Sequence, residues 1–230
     1  MEFLVVPEIE AYAEAHSMAE SDICRRLREE TYRTMEWPQM VVGPLEGAFL
    51  KMMAQLVGAT RVLEIGMFTG YSALCFAEVL PPEGRVITCE VGAEPAVLAR
   101  KYMAQSPYGR KIDIRMGPAL DTLRDVSGPF DLVFIDADKV NYGRYYERAL
   151  ELVAPASVIL LDNAFRDGEV LIKPAPDPGT AVIQDLNRRI AADPRVSAVL
   201  VTIRDGVMVV RPKARPMKVE AEAQVKVKIA

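Results

Sequence analysis

Short, nearly continuous apolar runs separated by helix-patterned stretches are the feature that most limits what this chain can fold into. Residues 130–135 read Phe-Asp-Leu-Val-Phe-Ile and residues 157–161 read Ser-Val-Ile-Leu-Leu, while 61–65, 85–89 and 112–116 are shorter runs of the same kind. Runs of this length are strands, and strands apolar on both faces belong to a parallel sheet covered by helices on both sides. The intervening segments 71–80, 94–104, 119–126 and 142–152 carry helical spacing. Together they predict an α/β doubly wound, Rossmann-like fold. Residues 181–191 read as a further helix. Residues 196–203 and 207–211, joined through Arg204-Asp205-Gly206, read as a hairpin closing an otherwise parallel sheet.

Upstream of the first strand, residues 8–36 are charged and interrupted by Ile9, Tyr12, Ile23, Leu27 and Met35, a pattern of one or two amphipathic helices. They suit an N-terminal lid or an oligomerisation segment. Trp37-Pro38 and Gly43-Pro44 break the chain before a helix over 45–57, whose Leu45, Phe49, Met52, Met53 and Leu56 recur with helical spacing and whose methionines read as core. We expect one domain: helices over 1–57, the core over 58–211 and a basic tail over 212–230.

Composition narrows the class of function. Half the residues are hydrophobic, 26% are charged and the net charge is −4, the profile of a globular chain rather than a disordered or collagen-like one. Residues 211–230 carry a net +4, from Arg211, Lys213, Arg215, Lys218, Lys226 and Lys228 against Glu220 and Glu222. An acidic body with a short basic extension and no basic-aromatic interleaving argues against a nucleic-acid partner. The N-terminus has acids where a secretory signal has basic residues, and no run approaches 18 apolar residues, so neither export nor a membrane span is expected. Cys24, Cys75 and Cys89 have neither disulfide-framework nor zinc spacing, which fits a cytoplasmic chain. The single histidine, His16, lies in the polar N-terminal segment and reads as a surface residue, which removes histidine-dependent nucleophilic catalysis.

Two constellations carry chemistry. The first is Leu63-Glu64-Ile65-Gly66-Met67-Phe68-Thr69-Gly70-Tyr71-Ser72, a strand turning through glycines into a helix, which lets a ligand approach the backbone. Glu90 follows Gly70 by 20 residues at the end of the next strand, where an acid accepts hydrogen bonds from ribose hydroxyls. An adenosine-containing ligand is implied. The glycine spacing is not that of a dinucleotide site, and Glu64 would face a phosphate unfavourably. S-adenosylmethionine (SAM), cationic and without phosphate, is favoured over NAD and over a dehydrogenase.

The second constellation is Phe134-Ile135-Asp136-Ala137-Asp138-Lys139 with Leu161-Asp162-Asn163, at the carboxyl ends of neighbouring strands. Asp136, Asp162 and Asn163 are hard oxygen donors suited to Mg²⁺ or Ca²⁺. Taken singly, each would equally serve to cap the helix that follows. Lys139 is either a solvated surface lysine or, beside a divalent cation that disfavours its ammonium form, a general base.

These segments together resemble the cation-dependent, SAM-dependent O-methyltransferases, the group of the catechol and caffeoyl-CoA O-methyltransferases, from about residue 20 to 211. The resemblance implies a seven-stranded sheet with an antiparallel last strand. It implies that Val42, Glu64, Gly66, Met67, Ser72, Glu90, Ala119 and Asp136 contact the cofactor, with Glu90 at the ribose, Ala119 near the adenine, and Val42 and Ser72 near the methionine end. It further implies that Asp136, Asp162 and Asn163 hold Mg²⁺, with Ca²⁺ or Mn²⁺ as substitutes, and that Lys139 is the base. A small aromatic acceptor with vicinal hydroxyls and a homodimer complete what it implies. The chain departs from the group at Pro155-Ala156-Ser157, where a glycine turn is usual and a changed turn is expected. It departs again at Ala164-Phe165-Arg166, where an aromatic such as Trp is common. With the Pro-rich loop 173–179, the second departure is expected to reshape the acceptor pocket, where Phe68 and Phe165 either stack on an aromatic substrate or serve as ordinary core. A binding protein on the same fold is the remaining alternative, and it would have lost the metal ligands or the base, all of which are present.

Overall fold

A computed structural model describes residues 5–213 of the chain. Strands β1 (Arg61–Ile65), β2 (Arg85–Glu90), β3 (Ile112–Met116), β4 (Phe130–Ile135), β5 (Val153–Leu161), β6 (Val196–Val201) and β7 (Val207–Pro212) form a seven-stranded sheet in the order β3-β2-β1-β4-β5-β7-β6. β1 to β5 pair in parallel, and β7 runs antiparallel to both β5 and β6. The doubly wound sheet with a reversed last strand is as the sequence predicts. The expected tail falls outside the described residues, apart from Pro212 and Lys213.

The apolar strand runs explain the two-sided burial. Alternate residues of β1, β4 and β5 point to opposite faces. Val62, Leu132, Phe134, Val158 and Leu160 join one core cluster, whereas Leu63, Ile65, Val133, Ile135, Ile159 and Leu161 join the other. Helices α1 (Pro7–Ala15), α2 (Asp22–Thr34), α3 (Gly43–Leu56), α4 (Tyr71–Val79) and α5 (Ala93–Gln105) precede α6 (Ala119–Asp125), α7 (Tyr142–Leu152) and α8 (Pro178–Ala192) in the chain. The core residues of α2 to α5 fall in the first cluster and those of α6 to α8 in the second. Among the described residues no helix is long and apolar enough to cross a membrane.

Three local expectations need correction. Gly43-Pro44 does not precede α3 but opens it, with Pro44 in the first turn, where its missing N–H costs nothing. The face of α3 that packs inward is Gly43, Glu46, Gly47, Leu50, Lys51 and Ala54, leaving Met52 45% exposed and Leu56 70% exposed. The cause is the close approach of α4: a Cβ on Gly47 would lie 2.9 Å from Tyr71 Cε1 and 3.0 Å from Cys75 Sγ. The two helices meet at a glycine, and of the larger apolar residues of α3 Leu50 is buried, Phe49 and Met53 pack partly buried against the core, and Met52 and Leu56 face outward. Lys51 is buried on the inward face because it is paired with Glu78. Finally, Pro155-Ala156-Ser157 lies inside β5 rather than in a turn, and the β4–β5 register shifts between Phe130 and Leu132 to accommodate it.

Candidate active site

The carboxyl ends of the parallel strands open onto a cavity of about 1060 Å³. Its floor is the β1–α4 turn. Gly66 has φ +101°, and a Cβ there would fall 1.9 Å from the Asp136 carbonyl oxygen, so no side chain fits between β1 and β4 at this point. Met67, Phe68, Thr69 and Ser72 line the same floor. Thr31 of α2 donates to Thr69 at 3.0 Å and Tyr71 donates to Glu20 at 2.8 Å, so the N-terminal helices brace the turn. Val5 and Glu10 reach the cavity wall.

Glu90, ending β2, accepts backbone N–H groups from Phe68 at 2.6 Å, Val91 at 2.9 Å and Gly92 at 2.6 Å. A carboxylate offers about four acceptor positions, so capacity remains for a ligand hydroxyl. Ala119 opens α6 beside Gly117-Pro118 and lines the cavity, as do Val42 and Asp136. Glu64 differs from the other expected cofactor residues. It does not line the cavity but lies fully buried beneath it, accepting a hydrogen bond from Thr88 and leaving Oε1 unpartnered. Burial pushes its carboxyl up to about 8.

On the other side, β4 and β5 place Asp136 and Asp162 in adjacent register, with the Asp162 N–H donating to the Ile135 carbonyl at 3.0 Å. Asn163 follows with φ +55° and donates its N–H to Asp162 Oδ1 at 2.6 Å. Asp162 is 4% exposed, and burial followed by the charge of Asp136 pushes it up to about 7. This excess of buried negative charge is what a divalent cation would neutralise. Among the described residues no three His, Cys, Asp or Glu side chains are grouped to hold a metal, so a cation here would need the Asn163 amide oxygen or outside ligands besides the two carboxylates. Hard oxygen donors of that kind fit Mg²⁺ or Ca²⁺.

Lys139 Nζ donates to Asp136 Oδ1 at 3.0 Å and to the Tyr142 hydroxyl at 2.5 Å, and it lines the cavity. It is no solvated surface lysine. Tyr142, buried at the start of α7, donates in turn to the Ile135 carbonyl at 3.3 Å. Sequence reasoning passed over Tyr142, although its spacing of three residues from Lys139 was a usable signal. It also passed over Glu46 and Arg204. Glu46 is 1% exposed on the cavity wall, with its carboxyl raised well above the usual range by burial and by Asp162.

The expected acceptor wall is only partly as foreseen. Phe68 lines the cavity, but Phe165 packs against Gly206 instead, and none of residues 173–179 lines the cavity. Arg166, Asp167, Arg204 and Asp205 occupy that side. His16 is exposed and stacks on Tyr12, and all three cysteines are free and buried.

A family model described as O-methyltransferase matches residues 14–213. Mouse catechol O-methyltransferase domain-containing protein 1 is 40% identical over 203 residues, covering 85% of this chain and 76% of that protein. Among solved structures, an O-methyltransferase from Bacillus cereus in complex with SAH superposes with a TM-score of 0.82 at 33% identity, covering 90% of this chain and 97% of that one. An O-methyltransferase from Streptomyces achromogenes involved in tomaymycin synthesis, in complex with SAM, gives 0.84 at 29% identity, covering 90% and 96%.

Proposed function

The chain belongs to the O-methyltransferase family, and from that premise we propose that it moves the methyl group of SAM to one hydroxyl of a catechol-like aromatic, with Mg²⁺ held by Asp136, Asp162 and Asn163 and Lys139 as the base. The observation that carries this reading is the contact of Lys139 with Asp136 at the edge of a cavity whose floor is the glycine turn. Acceptor base, metal ligands and donor pocket thereby share one space. The mouse relative's name is what suggests a catechol.

In this reading the donor lies across the strand ends. Gly66 leaves room for it, Glu90 accepts from its ribose, Ala119 borders its adenine, and Met67, Val42 and Ser72 surround its methionine end. Glu64 acts from below, through the turn it supports rather than by direct contact. When bound, SAM supplies an electrophilic methyl group and the divalent cation lowers the proton affinity of the acceptor hydroxyl. Lys139 Nζ takes up the hydroxyl proton, held in place by Asp136 Oδ1 and the Tyr142 hydroxyl. Most of the acceleration comes from holding oxygen and methyl in near-attack geometry with water excluded. A homodimer using the N-terminal helices belongs to the same proposal, and a solution mass of two chains would support it.

The test is methyl transfer to a panel of catechols and caffeoyl-type esters, with Mg²⁺ and with EDTA. Transfer that stops in EDTA and returns with Mg²⁺ is the expected result. Binding of SAM with no transfer to any vicinal diol would reject the acceptor class, and failure to bind SAM would reject the reading altogether.

A further inference from the structure

We infer that Arg204 is a positioning residue that locks the donor side of the cavity to the acceptor side. The inference rests on the reading of the cavity as the methyl donor's site. Arg204 sits in the turn between β6 and β7, at the same edge of the sheet as Asp162 and Asn163. One face of this turn holds the segment after β5: the Asp205 carbonyl accepts from Phe165 N–H at 2.9 Å, the Gly206 carbonyl from Ala164 N–H at 2.9 Å, and Asp205 Oδ1 from Asp167 N–H at 2.6 Å. From the other face the Arg204 guanidinium donates to the Val41 carbonyl at 2.9 Å and to the Val42 carbonyl, and lies 3.4 Å from Glu46 Oε2. Val41, Val42 and Glu46 all line the cavity. A single turn thus holds two cavity walls that are more than a hundred residues apart in sequence.

Three features argue that this contact is not incidental packing. Arg204 has φ +46°, a conformation that costs a residue with a side chain and persists where its surroundings require it. Its cation stands at the N-terminus of α3, where the helix dipole disfavours positive charge. Helix capping therefore does not account for it. It also faces a carboxylate that is 1% exposed and whose other oxygen, Oε1, has no hydrogen-bond partner. Without Arg204, Glu46 Oε2 would lose its guanidinium contact, and the 41–42 backbone would lose its only side-chain donors among the described residues.

The experiment compares the full-length chain with Arg204→Gly and Arg204→Lys. Glycine adopts φ +46° without strain, so the turn is kept while the guanidinium is removed. In Arg204→Gly we expect a folded protein with a lowered melting temperature, and faster amide hydrogen exchange concentrated in residues 39–47 of the ligand-free protein. The dissociation constant for S-adenosylhomocysteine should rise by about ten- to a hundredfold, and the donor KM should rise by more than kcat falls. Millimolar guanidinium should restore part of the affinity in Arg204→Gly alone. Arg204→Lys should fall between the two, because it keeps the positive charge on a shorter, unforked stem whose nitrogen stops short of the guanidinium Nη1 that makes all three contacts. Affinity within about twofold of the parent in both variants, with unchanged exchange over 39–47, would overturn the role of Arg204. If Arg204→Gly does not fold, the same limits on Arg204→Lys decide the matter. Loss of S-adenosylhomocysteine binding in the parent itself would instead remove the proposed function, while the exchange measurement would still report on the clamp.

Discussion

Lys139 is held by two acceptors of different kinds, a carboxylate and a buried phenol. Lys139→Ala is expected to lower kcat by about 10²–10⁴-fold while leaving the dissociation constant of S-adenosylhomocysteine unchanged, measured by single-turnover kinetics and calorimetry. Glu64 gives a second expectation, in stability. Its carboxyl sits near 8 in the fold against an ordinary value of 4.5. Between those values the folded protein holds a proton that the unfolded chain has released, so stability falls as pH rises through the window, by at most about 1.4 kcal/mol per pH unit. In denaturant melts of the ligand-free protein, Glu64→Gln should flatten this slope between pH 5 and 8. At this scale the sequence was legible where function depends on neighbours along the chain. Asp136, Lys139, Asp162 and Asn163 stand at strand ends, and a strand end announces itself. Glu46 and Arg204 could not be found that way, because each acquires its meaning from a residue more than 150 positions away.

Elements make a different kind of statement. The β1–α4 turn tolerates no Cβ at Gly66 because the Asp136 carbonyl fills the space. Gly66→Ala should therefore cost about 3 kcal/mol and lower the melting temperature by about 10 °C, seen by calorimetry, with donor binding lost as β1 and β4 separate. Strand and helix positions were legible from apolar periodicity, which depends only on local order. The face that a helix buries was not. The large apolar residues of α3 gave the period correctly, but Gly47 gave the contact, since close approach to Tyr71 and Cys75 outweighs the burial of Met52. In the same way Pro155 suggests a turn but is absorbed into β5 by a shift of register.

Across the whole molecule, the cavity collects residues from Val5 to Asp205 onto one edge of the sheet. Its two buried acids, Glu46 and Asp162, have their carboxyls pushed up by burial and by neighbouring acids. A cation that takes the place of their protons binds only the folded state. Mg²⁺ should raise the melting temperature saturably, by the equivalent of about 2.7 kcal/mol at a hundredfold excess over its dissociation constant. Asp162→Asn should weaken that response strongly, and a thermal-shift titration with EDTA as the reversal reads both. β7, finally, lies between β5 and β6 although it is the last strand of the sheet to be made. Until residues 207–212 leave the ribosome, β5 has an apolar strand edge with no partner, and the turn that ties the two walls together has nothing to close against. A nascent chain stalled before that point would be an aggregation hazard, not a slower enzyme, and the cleft would be among the last features of the protein to exist.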